Sequence, residues 1–302
     1  EQEEEETDVG PDLDGDGIPE VVTHFRDNNT VYILNGADGT TKATINAHLS
    51  DYSQSPSIVD ADGDGFGEVY LVDFLGRLKC FDHLGQPKDG FTEITISKGQ
   101  GNHQGIFSAN PSFADFDGDG NPELFIGNEI YNSSSGALIS QLTNHYNESK
   151  GAIGVNGHVF SAAFDILPDD FCSDCSGLEL ICGNVVYSVN MVSGALTEVS
   201  KAPNKVNDGK VSLADWDGDG QMDIVVSGTC CGDGGVIYIW DPRTQDFVTQ
   251  DAAGNPLLAN PFDVQPSLPN QVGLASIADF DGDGLLEIGM AGLDEFITIE
   301  SN

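Results

Sequence analysis

Five copies of one acidic nonapeptide limit what this chain can fold into. They are DLDGDGIPE (residues 12–20), DADGDGFGE (60–68), DFDGDGNPE (115–123), DWDGDGQMD (215–223) and DFDGDGLLE (279–287). Each sets aspartates at positions 1, 3 and 5, a glycine at 6 and an acid at 9. Their starts are 48, 55, 100 and 64 residues apart, and the widest gap hides an altered sixth copy. In that copy, FDILPDDFCSDCSGLELICG (164–183), Asp165 and the closing Glu179 persist, but a longer insert carrying CSDC replaces the acidic centre. A recurrence of about 50 residues means a solenoid, a propeller or an array of small units.

The flanks of the loops choose among these. A short apolar run precedes each of the last four intact loops (PSIVD, NPSFAD, VSLAD, ASIAD) and another follows it (EVYLVDF, PELFIGN, MDIVVSG, LEIGMAG). A third comes after a tight turn (NTVYILNG, GRLKCFD, GVIYIWD, DEFITIE), and a weaker fourth closes the unit (TTKATINA, FTEITIS, GALISQL, GALTEVS). The runs are short, rich in β-branched and aromatic residues, and bounded by Gly, Asp, Asn and Pro, without helical periodicity. Four strands per unit, repeated six times, give an all-β chain with the pattern of propeller blades. Residues 1–8 read as an acidic, disordered tail, and 9–302 as one β-propeller domain. The first repeat lacks a clear opening strand and the last stops after its third.

Four carboxylates within nine residues repel one another by about 4 kcal/mol per close pair at an effective dielectric of about 20. An ion at the centre of the loop cancels that repulsion. The expected ligands are Asp12, Asp14, Asp16, the carbonyl of Ile18 and Glu20 in the first loop, and Asp60, Asp62, Asp64, Phe66 and Glu68 in the second. The third has Asp115, Asp117, Asp119, Asn121 and Glu123. Asp215, Asp217, Asp219, Gln221 and Asp223 form the next intact set, and Asp279, Asp281, Asp283, Leu285 and Glu287 the last. All are hard oxygen donors, which suits Ca²⁺; Mg²⁺ demands a stricter octahedron with retained waters. About five calcium ions are expected, one per intact loop. An EF-hand shares the opening D-x-D-x-D-G but needs a bidentate Glu at position 12 and flanking helices. Position 12 here is Thr23, Leu71, Ile126, Val226 and Met290, so that reading fails. A plain Asx-rich turn that binds nothing does not explain five near-identical copies.

An acidic D-x-D-x-D-G-x-x-[D/E] loop between two short strands, with a third strand after it, resembles the FG-GAP/VCBS repeat of integrin-α-type β-propellers. The resemblance spans nearly the whole chain after the acidic tail. It implies a seven-bladed propeller with calcium in the hairpins between first and second strands, bracing the fold while partners bind elsewhere. With six repeats visible, a seventh blade comes from chain beyond this sequence, or the ring closes with six. The fourth repeat departs from the family pattern and is expected to hold no calcium.

The chain has 302 residues, 50 acids against 11 bases and a net charge of −39, which argues against nucleic acid or an anionic membrane as partner. No run of about 20 apolar residues offers a membrane span. Twenty of the 50 acids sit in the five loops, so general solubility does not account for them. The chain opens on EQEEEETD without Met and reads as a mature chain or an excised portion. An even count of six cysteines fits an oxidising, extracellular or cell-surface setting. Cys172, Cys175, Cys230 and Cys231 are disulfide candidates, either as a local 172–175 staple or as a bridge to the 230–231 pair. Zinc is the alternative for CxxC spacing. Cys80 reads as a buried thiol.

The links between repeats are long, and long loops on a rigid scaffold tend to carry binding residues. His48, Tyr52, His103, Phe107, His145, Tyr146, His158 and Phe262 fall in or beside them and mark a possible face for an extracellular protein or glycan. Sequons stand at Asn28, Asn132 and Asn147. The chain shows no G-x-S-x-G, P-loop or HExxH. The expectation is therefore a non-enzymatic, calcium-stabilised binding or adhesion module, alone or within a larger surface protein. A lectin-like glycan binder and a calcium-dependent polysaccharide lyase are the alternatives. The lyase would need a base from Lys98, Lys150, Lys201, Lys205, Lys210 or the histidines.

Overall fold

The structure, a computed structural model, describes residues 12–25, 30–46, 56–73, 76–96, 108–109, 111–142, 158–203, 206, 208–228, 236–257, 262–263, 274–291 and 296–300. The acidic tail lies outside them. The described residues contain no helix and form six antiparallel sheets in chain order, plus one short parallel pair.

Sheet 1 is β1 (Val21–Phe25), β2 (Thr30–Leu34) and β3 (Thr41–Asn46). Sheet 2 is β4 (Ser57–Val59), β5 (Glu68–Val72), β6 (Arg77–Phe81) and β7 (Ile94–Thr95). The parallel pair joins β8 (Ser108–Ala109) to β13 (His158–Val159). Sheet 3 is β9 (Ser112–Ala114), β10 (Glu123–Ile126), β11 (Glu129–Tyr131) and β12 (Leu138–Gln141), and sheet 4 is β14 (Ala162–Phe164), β15 (Glu179–Cys182), β16 (Val185–Asn190) and β17 (Ala195–Lys201). Sheet 5 is β18 (Lys210–Ala214), β19 (Asp223–Gly228), β20 (Val236–Asp241) and β21 (Asp246–Phe247), with β22 (Phe262–Asp263) also paired to β20. Sheet 6 is β23 (Ser276–Ala278), β24 (Glu287–Ala291) and β25 (Phe296–Glu300). Among the described residues, sheet 1 has no strand before its acidic loop and sheet 6 none after β25. The position-12 residues Thr23, Leu71, Ile126, Val226 and Met290 all lie in strands, as the exclusion of an EF-hand requires.

In sheets 2 to 5 the strand after the loop (β5, β10, β15, β19) is apolar at nearly every position because both of its faces are covered. Side chains alternate along a strand, and each face meets a different neighbour. Val69 and Leu71 of β5 pack with Val31 and Ile33 of sheet 1, whereas Tyr70 and Val72 pack with Leu124 and Ile126 of sheet 3. Phe125, between those two in β10, turns the other way to Leu180 and Tyr187 of sheet 4. Ile181 meets Ile224 and Val226 of sheet 5, and Val225 meets Ile288 and Met290 of sheet 6. The core is thus a series of five seams between consecutive sheets. Burying one such side chain contributes about 1.5–3 kcal/mol.

Hydrogen bonds cross these seams at two recurring places, from the first strand of a sheet (Ser57, Ser212) and from its fourth (Ser140, Ser200). Ser57 donates to the Pro111 carbonyl at 2.7 Å, Ser140 to Gly194 at 2.8 Å and Ser212 to Ala275 at 2.7 Å. The links that read as irregular in sequence carry more order than expected, since β8, β13 and β22 lie in them or at their ends.

Candidate metal centres

Each acidic loop leads into a strand (β1, β5, β10, β19, β24) that the acid at position 9 opens or immediately precedes, and all but the first also follow the opening strand of their sheet. This acid anchors the loop. One oxygen of Glu20 accepts the Leu13 amide at 2.9 Å. Glu68 takes Ala61 at 2.9 Å, Glu123 takes Phe116 at 2.9 Å, Asp223 takes Trp216 at 3.1 Å and Glu287 takes Phe280 at 2.5 Å. The acceptor is always the carboxylate of position 9 and the donor always the amide of position 2. All five acids are buried. A buried carboxylate held this way by one oxygen keeps the other for a different partner.

Position 1 folds the loop around itself. Asp12 accepts the amides of Gly15 at 2.8 Å, Asp16 at 3.2 Å and Gly17 at 2.7 Å. Asp60, Asp115 and Asp279 repeat this set, and Asp215 keeps the bond to Gly220 at 2.9 Å. Three amides directed at one carboxylate require tight curvature, and both glycines supply it. In the first loop Gly15 and Gly17 have φ of 73° and 83°, and the other four loops match. The sequence motif called attention to glycine at 6; the glycine at 4 is needed as much. Position 5 then caps position 7, with the Ile18, Phe66, Asn121, Gln221 and Leu285 amides donating to Asp16, Asp64, Asp119, Asp219 and Asp283 at 2.7–2.9 Å.

The result is five carboxylate clusters, in each of which one oxygen per residue lies within 4.8 Å of the rest. Loops 1 to 3 gather positions 1, 3 and 9: Asp12, Asp14 and Glu20; Asp60, Asp62 and Glu68; Asp115, Asp117 and Glu123. Asp16, Asp64 and Asp119 stand outside these groups, engaged with the amide of position 7. The last loop gathers Asp279, Asp281, Asp283 and Glu287. The loop at 215–223 gathers Asp215, Asp217 and Asp219 without Asp223, whose side chain is one methylene shorter than the glutamate at this position elsewhere.

The electrostatics show what these clusters lack. Burial pushes Glu123 up to about 7, with Asp117, Asp115 and Asp119 adding to the effect, and it pushes Asp223 up to about 8, with Asp217 adding. The buried oxygens Asp14 Oδ1, Asp215 Oδ1, Asp223 Oδ1 and Glu287 Oε1 have no hydrogen-bond partner. A hard divalent cation fits such donors: it supplies positive charge to converging anionic oxygens that the protein leaves unsatisfied.

Three clusters meet a basic side chain that the sequence analysis did not connect to them. Lys42 Nζ lies 2.5 Å from Asp14 and 2.7 Å from Glu20. Lys88 Nζ lies 2.9 Å from Asp62 and 2.7 Å from Glu68. Arg243 approaches Asp219 at 3.5 Å and Asp223 at 3.8 Å while its Nε bonds Asp241. The signal was a base 20 to 22 residues after the closing acid, in a chain with 11 bases. The first three loops also touch. Gly67 donates to the Leu13 carbonyl at 3.0 Å, and a Cβ on Gly15 would lie 3.6 Å from the Gly65 carbonyl oxygen.

The fourth repeat is built differently. Glu179 keeps the anchoring role and accepts both the Ile166 and Leu167 amides, at 3.0 and 3.1 Å. In place of the acidic centre a Cys172–Cys175 disulfide closes the insert, and Cys175 is fully buried among Ile166, Leu167 and Ile181. This is the local staple, not the bridge to the next repeat. Cys230 and Cys231 lie outside the described residues. Cys80 and Cys182 are buried thiols outside any disulfide, and Cys182 donates to the Gly127 carbonyl at 3.4 Å.

Of the expected partner face, His48, Tyr52, His103, Phe107, His145 and Tyr146 lie outside the described residues. His158 and Phe262 are placed in β13 and β22 by their backbones. Of the lysines considered as bases, Lys98, Lys150 and Lys205 also lie outside. Lys201 is exposed and 3.5 Å from Glu198, whereas Lys210 is buried with Nζ 5.1 Å from the Phe160 ring centre. Burial lowers the Lys210 pKa.

The FG-GAP-like repeat family matches residues 12–71 and 60–126, each match taking in two consecutive acidic loops. No curated protein matches the chain in sequence. Among solved structures, the rhamnogalacturonan lyase YesW superposes with a TM-score of 0.55 at 16% identity, over 94% of this chain and 54% of that one. BamB from Moraxella catarrhalis gives 0.51 at 13% identity, over 97% and 84%. The V. cholerae biofilm matrix protein Bap1 gives 0.49 at 21% identity, over 76% of this chain and 34% of that one. The chain thus spans about a third of Bap1 and about half of the lyase. YesW and BamB establish a propeller-type arrangement of the sheets. Residues 12–126 therefore carry FG-GAP-like repeats, and the sheets are arranged as in a propeller-type protein.

Proposed function

We propose that this protein is a calcium-stabilised, extracellular binding module without catalytic activity, whose acidic loops hold structural calcium while another surface engages a protein or glycan. The observation that carries this reading is the repeated anchoring of position 9. Five buried acids each give one oxygen to the loop amide at position 2, and in the last loop the second oxygen is buried without a partner. Positions 1, 3 and 9 in loops 1 to 3, and 1, 3, 5 and 9 in the last loop, would hold the ion. It would neutralise their charge and fix the hairpin. Millimolar extracellular calcium suits such sites, and the Cys172–Cys175 disulfide suits an oxidising compartment.

The test is calorimetric titration of the full chain with calcium, followed by incubation with a panel of polysaccharides in calcium. Calcium binding at several sites, with one glycan retained uncut or none retained, is the expected result. Shortened chains would replace the binding module with a lyase, and absence of calcium binding would remove the structural role of the loops.

A further inference from the structure

Lys42 and Lys88 occupy one structural position. In sheets 1 to 5 the turn after β2, β6, β11, β16 and β20 carries a left-handed residue: Gly39, Gly85, Gly136, Gly194 and Gln245, with φ between 62° and 73°. Three residues later stand Lys42, Lys88, Ile139, Thr197 and Val248. Ile139 packs against the seam between sheets 3 and 4, and Val248 is buried in the seam between sheets 5 and 6. The same backbone position therefore serves packing in two sheets and delivers an ammonium to an acidic loop in the first two.

We infer that Lys42 and Lys88 are tethered cations that take the place of a metal ion in loops 1 and 2, so that calcium must displace them to bind there. This rests on the calcium reading above and divides its sites into two classes. In loop 1, Glu20 gives one oxygen to the Leu13 amide, and the ammonium takes the other at 2.7 Å. In loop 2, Glu68 divides its oxygens between Ala61 and Lys88 in the same way. Each ammonium also reaches the aspartate at position 3, the second member of the cluster. Calcium binds oxygens at 2.3–2.6 Å, and two cations cannot share one carboxylate oxygen at such distances without strong repulsion. Occupation by lysine and by metal are therefore alternatives.

Loop 3 and the last loop have no such competitor. Among the described residues no Lys or Arg pairs with Asp115, Asp117 or Glu123, nor with Asp279, Asp281, Asp283 or Glu287. Glu287 Oε1 is buried and unpartnered. These two loops depend on a diffusible ion to neutralise their acids. Loops 1 and 2 carry their own counter-charge and exchange metal more readily, so the first two sheets keep their hairpins when calcium falls.

Amine acylation of the wild-type chain, read by mass spectrometry in chelator and in saturating calcium, tests this. Lys42 and Lys88 side chains are 25% and 16% exposed and ion-paired, so they should react slowly in chelator and several-fold faster once calcium releases them. Lys79, 22% exposed and paired to Asp73 outside any acidic loop, should not change. In parallel, the double variant Lys42→Met, Lys88→Met should bind calcium more tightly at two of its sites by calorimetry. Calcium binding with Lys42 and Lys88 reactivity unchanged or lowered would overturn the inference and leave the calcium reading standing. No calcium binding at all would overturn both.

Discussion

The loops depend on single atoms. Gly17 has φ of 83° and nothing within 4 Å of where a Cβ would sit, so substitution there meets backbone strain and no clash. Gly17→Ala should therefore destabilise the protein by about 1–2 kcal/mol, the cost of a left-handed L-residue, measured by urea unfolding. Gly17→Asn should cost less, because Asn tolerates that region better. The carboxylate pattern and the glycine at 6 were legible in sequence because both are local, confined to nine residues. Lys42, Lys88 and Arg243 were not. Their contacts with the closing acids depend on the register of two further strands, which no nine-residue window contains. The departure of Asp223 from its cluster turned on one methylene, which the motif treats as equivalent to its absence.

Elements divide the same way. The strand runs were readable because a strand covered on both faces must be apolar throughout, and alternate residues of β5 and β10 pack in opposite directions. The short pairings of β8, β13 and β22 left no apolar run to find. The fourth repeat holds by other means, and this can be measured. Removing the Cys172–Cys175 bridge with Cys172→Ser, Cys175→Ser should cost about 2 kcal/mol from chain entropy for so short a loop. Packing is lost as well, since Cys175 is fully buried. The same repeat gives a pH test free of any metal. Burial holds Glu179 up at about 7, with Asp165 and Asp169 adding to it, against about 4.3 in an unfolded chain. The folded state then keeps a proton that the unfolded state has lost, so stability is full below about pH 4 and falls as pH rises through 7. In chelator, thermal midpoints should drop between pH 5 and 8. Glu179→Gln, which can still accept the Ile166 and Leu167 amides, should remove its share of that drop, leaving the shares of Glu123 and Asp223, and raise the midpoint at pH 8 by several degrees.

At the scale of the whole molecule, the acidic loops and the seams between sheets are one mechanical system. The residue at position 2 of each loop gives its amide to the closing acid and, in four loops, its side chain to the seam. Leu13 packs between sheets 1 and 2, Ala61 between 2 and 3, Phe116 between 3 and 4, and Trp216 between 5 and 6. A loop that loses its ion, with no tethered lysine to take its place, loosens this residue and the contact between neighbouring sheets with it. The energies are large enough to matter, since calcium at 1,000 times its dissociation constant adds about 4 kcal/mol per site, against a total of about 5–15 kcal/mol for an ordinary domain. Chelation should therefore lower the thermal midpoint steeply, and it should do so through the seams. The two tryptophans separate the possibilities. Trp216 sits at position 2 of a loop, whereas Trp240 is fully buried in the seam between sheets 4 and 5. On adding chelator at a temperature where the chain stays folded, emission should shift to the red, and Trp216→Phe should abolish most of that shift while Trp240→Phe preserves it. A shift carried equally by both residues would mean that the chain unfolds as a whole and that the loops do not act through their own seams.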